Sequence, residues 1–141
     1  MKVVKAETPN DLKGILNFND DSENYLSCTR MEWVQWLVQQ VGLKNDKLGV
    51  WVVRDDDDVL KGYLVAVDSV YLPLFTGVAI IYFCPPFTKR EPQEIELLEK
   101  LEQWAKSRGA DRIEINTRQS QQFLRYGFED SEYSIMFKKI G

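Results

Sequence analysis

The sequence predicts an α/β fold: a mixed, mostly antiparallel sheet flanked by helices on both faces. Three observations carry that expectation. Two β-rich runs in the first half are joined by a short acidic turn, as in a hairpin. The apolar run from Gly77 to Cys84 (GVAIIYFC) has the composition of a strand buried on both faces. Behind it, an amphipathic stretch from Pro92 to Arg108 leads into the alternating segment Asp111 to Asn116, completing a strand–helix–strand unit.

The elements follow in order. Val3, Val4 and Ala6 begin a short strand, and Pro9-Asn10-Asp11 opens a weak helix around Leu12, Ile15, Leu16 and Phe18. After the polar loop NDDSEN, a second helix starts near Thr29. Trp33, Val34, Leu37, Val38 and Val41 fall on one arc of it, and Gly42 is its expected left-handed terminator; Trp36, to one side of the arc, could line a ligand groove but reads better as a boundary core residue. Leu48 to Arg54 and Leu60 to Tyr71 are the hairpin strands. The turn between them, Asp55 to Asp58, reads as solvated rather than metal-binding, because consecutive residues of an extended chain point to opposite faces. Pro85-Pro86 ends the next strand. Pro92 is suited to the first position of a helix, Leu97, Leu98, Leu101, Trp104 and Ala105 share its inner face, and Gly109 closes it. A short helix, Gln119 to Tyr126, a Gly127-Phe128 turn and a last strand, Tyr133 to Lys139, complete the chain. No repeat or linker divides residues 1–141, so one domain is expected.

Composition narrows the chemistry further. The chain has 141 residues, 44% hydrophobic and 28% charged, as in globular proteins. Its 18 basic and 22 acidic side chains leave a net charge of -4, the wrong sign for a nucleic-acid binder. There is no histidine, which excludes imidazole bases, Ser-His and Cys-His nucleophiles and imidazole metal sites. Cys28 and Cys84 form no metal or redox motif and read as small buried hydrophobes. The N-terminus has no signal-peptide core, and the most apolar stretch, Val70 to Phe83, is too short and interrupted to span a membrane. A cytoplasmic protein with reduced thiols is expected, with no membrane association.

Leu97 to Asn116 reads LLEKLEQWAKSRGADRIEIN, and Gln121 to Glu129 reads QQFLRYGFE. These segments, in this order, resemble the GNAT (N-acetyltransferase) superfamily across the last half of the chain. The resemblance implies a GNAT-like sheet and an acetyl-CoA pyrophosphate loop of the pattern Gln/Arg-x-x-Gly-x-Gly/Ala at the start of the long helix. That pattern falls on Lys89 to Glu94, with Lys89 at the first position and Pro92 and Glu94 where the glycines would be. If CoA binds, the resemblance assigns it to Phe83, Cys84, Lys89 and Arg90. Pro92 has no N–H to offer a phosphate. Glu94 falls within the helix's apolar arc. A carboxylate about 5 Å from a phosphate charge costs roughly 3 kcal/mol at an effective dielectric of ~20.

Many members of that superfamily also place a proton-donating tyrosine four residues before the Gly-Phe turn. Here that position is Phe123, and Tyr126 lies about 300° further around the helix. Asp68 and Glu114 are candidate water-mediated bases, but read better as exposed strand carboxylates. Cys84 would end the strand that holds the thioester, yet lacks an activating histidine and reads as packing. The expectation is therefore a GNAT-like binding or structural module with acetyl-CoA catalysis lost or impaired, no confident cofactor and protein partners. The alternative is an active acetyl-CoA-dependent N-acetyltransferase with an atypical loop.

Overall fold

A computed structural model describes residues 1–22, 26–72, 75–84, 92–115, 123–124, 126–130, 136 and 138–140. Within these, five strands and two helices form a mixed α/β fold. The strands are β1 (Lys2–Lys5), β2 (Leu48–Arg54), β3 (Leu60–Leu72), β4 (Phe75–Cys84) and β5 (Arg112–Ile115); the helices are α1 (Arg30–Gly42) and α2 (Pro92–Ser107). The sheet order is β1-β2-β3-β4-β5. The first three pairings are antiparallel, and β4 pairs with β5 in parallel. A parallel pair needs a crossover connection, and α2 lies within it.

The helices take the registers their apolar arcs require. Thr29 caps α1, its hydroxyl accepting from the Glu32 N–H while the Glu32 carboxylate accepts from Thr29 N–H. Trp33, Leu37 and Val41 are buried, and Val34 and Val38 pack half-buried beside them. On α2, Leu97, Leu101 and Ala105 are buried, with Leu98 and Trp104 against the same core. Gly109 ends that helix in the left-handed conformation, at φ 76°.

Three local expectations are corrected. The helix foreseen around Leu12 to Phe18 is a 3₁₀ turn, Pro9–Leu12, followed by irregular turns. The Asp11 carboxylate draws in the N–H groups of Glu7 and Thr8 at 2.8 and 3.0 Å, and Gly14 at φ 88° then turns the chain out of helical geometry. Gly42 remains the last residue of α1, and the left-handed position is taken by Lys44 at φ 53°. The N–H groups of Leu43 and Lys44 there bond back to Gln39 and Val41. Asp68 is not an exposed strand carboxylate: its side chain is 9% exposed and accepts from Arg108 Nε at 2.9 Å.

The β2–β3 hairpin forms as expected. Asp55 Oδ1 accepts from the N–H groups of Asp57 and Val59, both at 3.0 Å, and Asp58 pairs with Lys13 and Arg54. The Val59 N–H is the main reason the Asp55 carboxyl is held below its ordinary range. No helix of the described residues is long and apolar enough to cross a membrane.

Each face of the sheet has its own core. Ala6, Leu12, Ile15, Trp33, Leu37, Val50, Val52, Tyr63, Val65 and Tyr82 belong to the α1 face. Val3, Trp51, Val53, Leu64, Ala66, Val78, Ile80, Leu97 and Leu101 belong to the α2 face. A β-bulge changes this assignment along β4: Val65 lies opposite Tyr82 but Ala66 opposite Ile80, which leaves Ile81 as the extra residue. Val78 and Ile80 therefore face α2, Ile81 and Tyr82 both face α1, Phe83 returns to α2 and Cys84 to α1.

Candidate functional site

The described pairing of β4 with β5 runs from Gly77–Arg112 to Ile80–Ile115, and Ile81 to Cys84 extend past it. Two clusters meet this end of β4, one on each face.

On the α1 face the cluster is acidic and aromatic. The Asp20 carboxylate, its side chain only 1% exposed, accepts from Arg30 Nη2 at 3.1 Å, the Tyr63 hydroxyl at 2.8 Å and the Ser22 N–H at 2.9 Å. Arg30 also donates to the carbonyls of Phe18 and Asp20, tying α1 to the preceding loop. A charge can be buried only when it is paired and hydrogen-bonded, and Asp20 is both. The Tyr63 hydroxyl in turn accepts from Trp33 Nε1 at 3.0 Å. The Tyr82 hydroxyl donates to the Asp21 carboxylate and accepts from the Asp21 N–H at 3.2 Å. Tyr63 and Tyr82 rings are 5.3 Å apart, and Trp36 stacks on Trp33 at 5.7 Å and 14°. Burial holds both phenols well above their ordinary range. Asp21 is an exposed residue, and no basic side chain pairs with it among the described residues. Ser22 is 1% exposed, its hydroxyl without a hydrogen-bond partner among the described residues.

On the α2 face the cluster is aromatic around one carboxylate. Phe123 is buried, its ring 5.9 Å from Phe83, 5.5 Å from Phe128 and 6.3 Å from Tyr126. Glu94, in the first turn of α2, is 1% exposed and accepts a hydrogen bond from the Tyr126 hydroxyl.

Of the residues the sequence singled out, Phe83 and Cys84 lie here on opposite faces of β4, while Lys89 and Arg90 lie outside the described residues. Burial pushes the Cys84 thiol up to about 11, so at neutral pH it is protonated and a poor nucleophile. Asp68 and Glu114 are far from this place, opposite Val78 and Ala79 towards the other end of β4; Glu114 pairs with Arg112 at 2.7 Å. The expected packing position of Trp36 is partly exposed, at 38%. Most of the Tyr133 to Lys139 strand and the start of the Gln119 to Tyr126 helix fall outside the described residues. Sequence reasoning missed Asp20, Asp21, Arg30, Tyr63 and Tyr82. The only available signal was the acid-rich loop NDDSEN beside a helix whose first residue is arginine.

A scan against protein-family models finds no match, and no curated protein matches the chain in sequence. Solved structures do match over its full length. A probable acetyltransferase aligns at TM-score 0.75 and 20% identity, covering 100% of this chain and 99% of that one. An aminoglycoside 6'-N-acetyltransferase from Acinetobacter baumannii aligns at TM-score 0.77 and 15% identity, covering 99% of each chain. AAC(6')-Iy, solved with the bisubstrate analogue CoA-S-monomethyl-acetylneamine, aligns at TM-score 0.63 and 16% identity, with 100% of both chains covered. The sheet order, the helix on each face and these alignments together establish that the chain has the GNAT acetyltransferase fold.

Proposed function

We propose that this chain is a GNAT-fold binding or structural module in which acetyl-CoA catalysis is lost or impaired, working with protein partners in the cytoplasm. The observation that carries the reading is the packing of Phe123. The position at which the superfamily resemblance places a proton-donating tyrosine holds a buried ring wedged against Phe83 and Phe128. A phenylalanine has no proton to give a leaving thiolate, and its ring packs against Phe83, a β4 residue past the last described β4–β5 pair.

Acetyl-CoA suits the first turn of α2 poorly. Pro92 brings no N–H, and Glu94 buries a carboxylate where a pyrophosphate would need donors. The decisive assay incubates the protein with acetyl-CoA and a panel of amines, including an aminoglycoside and a lysine-rich peptide, and follows release of the CoA thiol. No release above buffer is expected, and no rise in Tm with CoA. A ligand at a hundred times its Kd would stabilise by about 2.7 kcal/mol, a readily visible shift.

The alternative, an active N-acetyltransferase using Phe83, Cys84, Lys89 and Arg90 around its cofactor, draws on one observation. The exposed Asp21 carboxylate, bonded to Tyr82 at the end of β4, is a group able to take a proton from an amine. Thiol release dependent on both acetyl-CoA and an amine, and lost in Asp21→Asn, would establish it.

A further inference from the structure

We infer that Glu94 and Tyr126 form an internal latch that closes the N-terminal end of α2 to anions. The inference deepens the reading above and rests on it. The opening turn of a helix presents unpaired N–H groups and the positive end of the dipole, and so attracts negative charge. Here the chain supplies that charge itself. Glu94 is the third residue of α2, and its side chain is folded inward to 1% exposure rather than towards solvent.

A carboxylate is buried at high cost unless donors meet it. The Tyr126 hydroxyl is such a donor to one of its oxygens, arriving from 32 residues further along the chain. Tyr126 is itself set against Phe123, whose ring meets Phe83 on β4 and Phe128 in the following turn. The latch thus joins the first turn of α2, the end of β4 and the C-terminal turn. An incoming phosphate would have to displace a bonded carboxylate of its own sign.

The test uses the full chain with inorganic pyrophosphate, and separately CoA, as probes. Glu94→Gln keeps an acceptor for Tyr126 while removing the charge. It is expected to gain pyrophosphate affinity by roughly tenfold to a hundredfold over wild type, the gain shrinking as salt is raised. Tyr126→Phe removes the hydrogen bond but leaves the Glu94 carboxyl group in place, and should lower Tm without improving pyrophosphate binding. A folded Glu94→Gln that binds pyrophosphate no better than wild type overturns the latch, as does a Tyr126→Phe with unchanged Tm. Acetyl transfer by wild type would instead overturn the functional reading, and a gain by Glu94→Gln would still support the latch.

Discussion

On the α1 face of the sheet, Trp33, Tyr63 and Tyr82 each end in a polar atom that finds a partner, directly or through Tyr63, in the loop around Asp20 and Asp21. On the α2 face the core around Leu64, Leu97 and Leu101 is mainly hydrocarbon, with the Glu94 carboxyl group buried at its edge. Both faces exclude water, but they are held differently. Apolar area is non-directional and tolerates repacking, whereas a buried hydroxyl or carboxylate fixes its neighbour's position and becomes a penalty once that neighbour is removed. The α1 face thereby pins an otherwise irregular loop beside the end of β4. The α2 face anchors its helix by shape.

Four measurements test this difference between the two faces. Leu101→Ala, at the centre of the hydrocarbon face, should destabilise by ~2–5 kcal/mol in denaturant melts. A change of a few tenths would mean that the face is not held by area. Asp20→Ala should cost about 2–3 kcal/mol, since it removes the carboxylate that accepts from Arg30, the Tyr63 hydroxyl and the Ser22 N–H, and Asp20→Ala with Tyr63→Phe should cost less than the sum of the two single changes.

Tyr82→Phe should cost about 1 kcal/mol and flatten the alkaline limb of stability. Folding raises the Cys84 thiol from an ordinary 9 to about 11 and raises Tyr63 and Tyr82 beyond it. The stability these groups carry is whole below pH 9. It falls as the pH rises through 9 to 11, because the unfolded chain ionises first. Urea melts between pH 7 and 11 read this directly, and a flat wild-type profile would contradict the burial of these groups. The smallest effect is expected from replacing Asp55 through Asp58 by asparagine. With Asp55→Asn, the side-chain amide oxygen can still accept from the N–H groups of position 57 and Val59, so stability should stay within about 0.5 kcal/mol.

Much of the architecture was legible in the sequence for a local reason. Leu48 to Arg54 was bounded to the residue, since it lies between a polar turn and an acidic one. The arcs of α1 and α2 followed from spacing alone, because 3.6-residue periodicity is written in consecutive side chains. Glu94 could be placed in the buried arc on the same grounds. The first turn was misread because its apolar residues mimic that spacing, while a capping carboxylate and one glycine decide against a helix.

The elements, their inward faces and the resemblance that names the fold are thus all consequences of short-range pattern. Which groups meet at the end of β4 is instead set by long-range packing. Asp20 reaches Tyr63 across 43 residues, Asp21 reaches Tyr82 across 61, and Glu94 reaches Tyr126 across 32. No local period encodes such pairs. The bulge at Ile81 was equally hidden: Gly77 to Cys84 is apolar throughout, so alternation carries no register there. One extra residue in that uniform strand turns Tyr82 and Cys84 towards the acidic loop and Phe83 towards Phe123. The choice is made by how β4 packs against β3 and the two helices rather than by any residue within it.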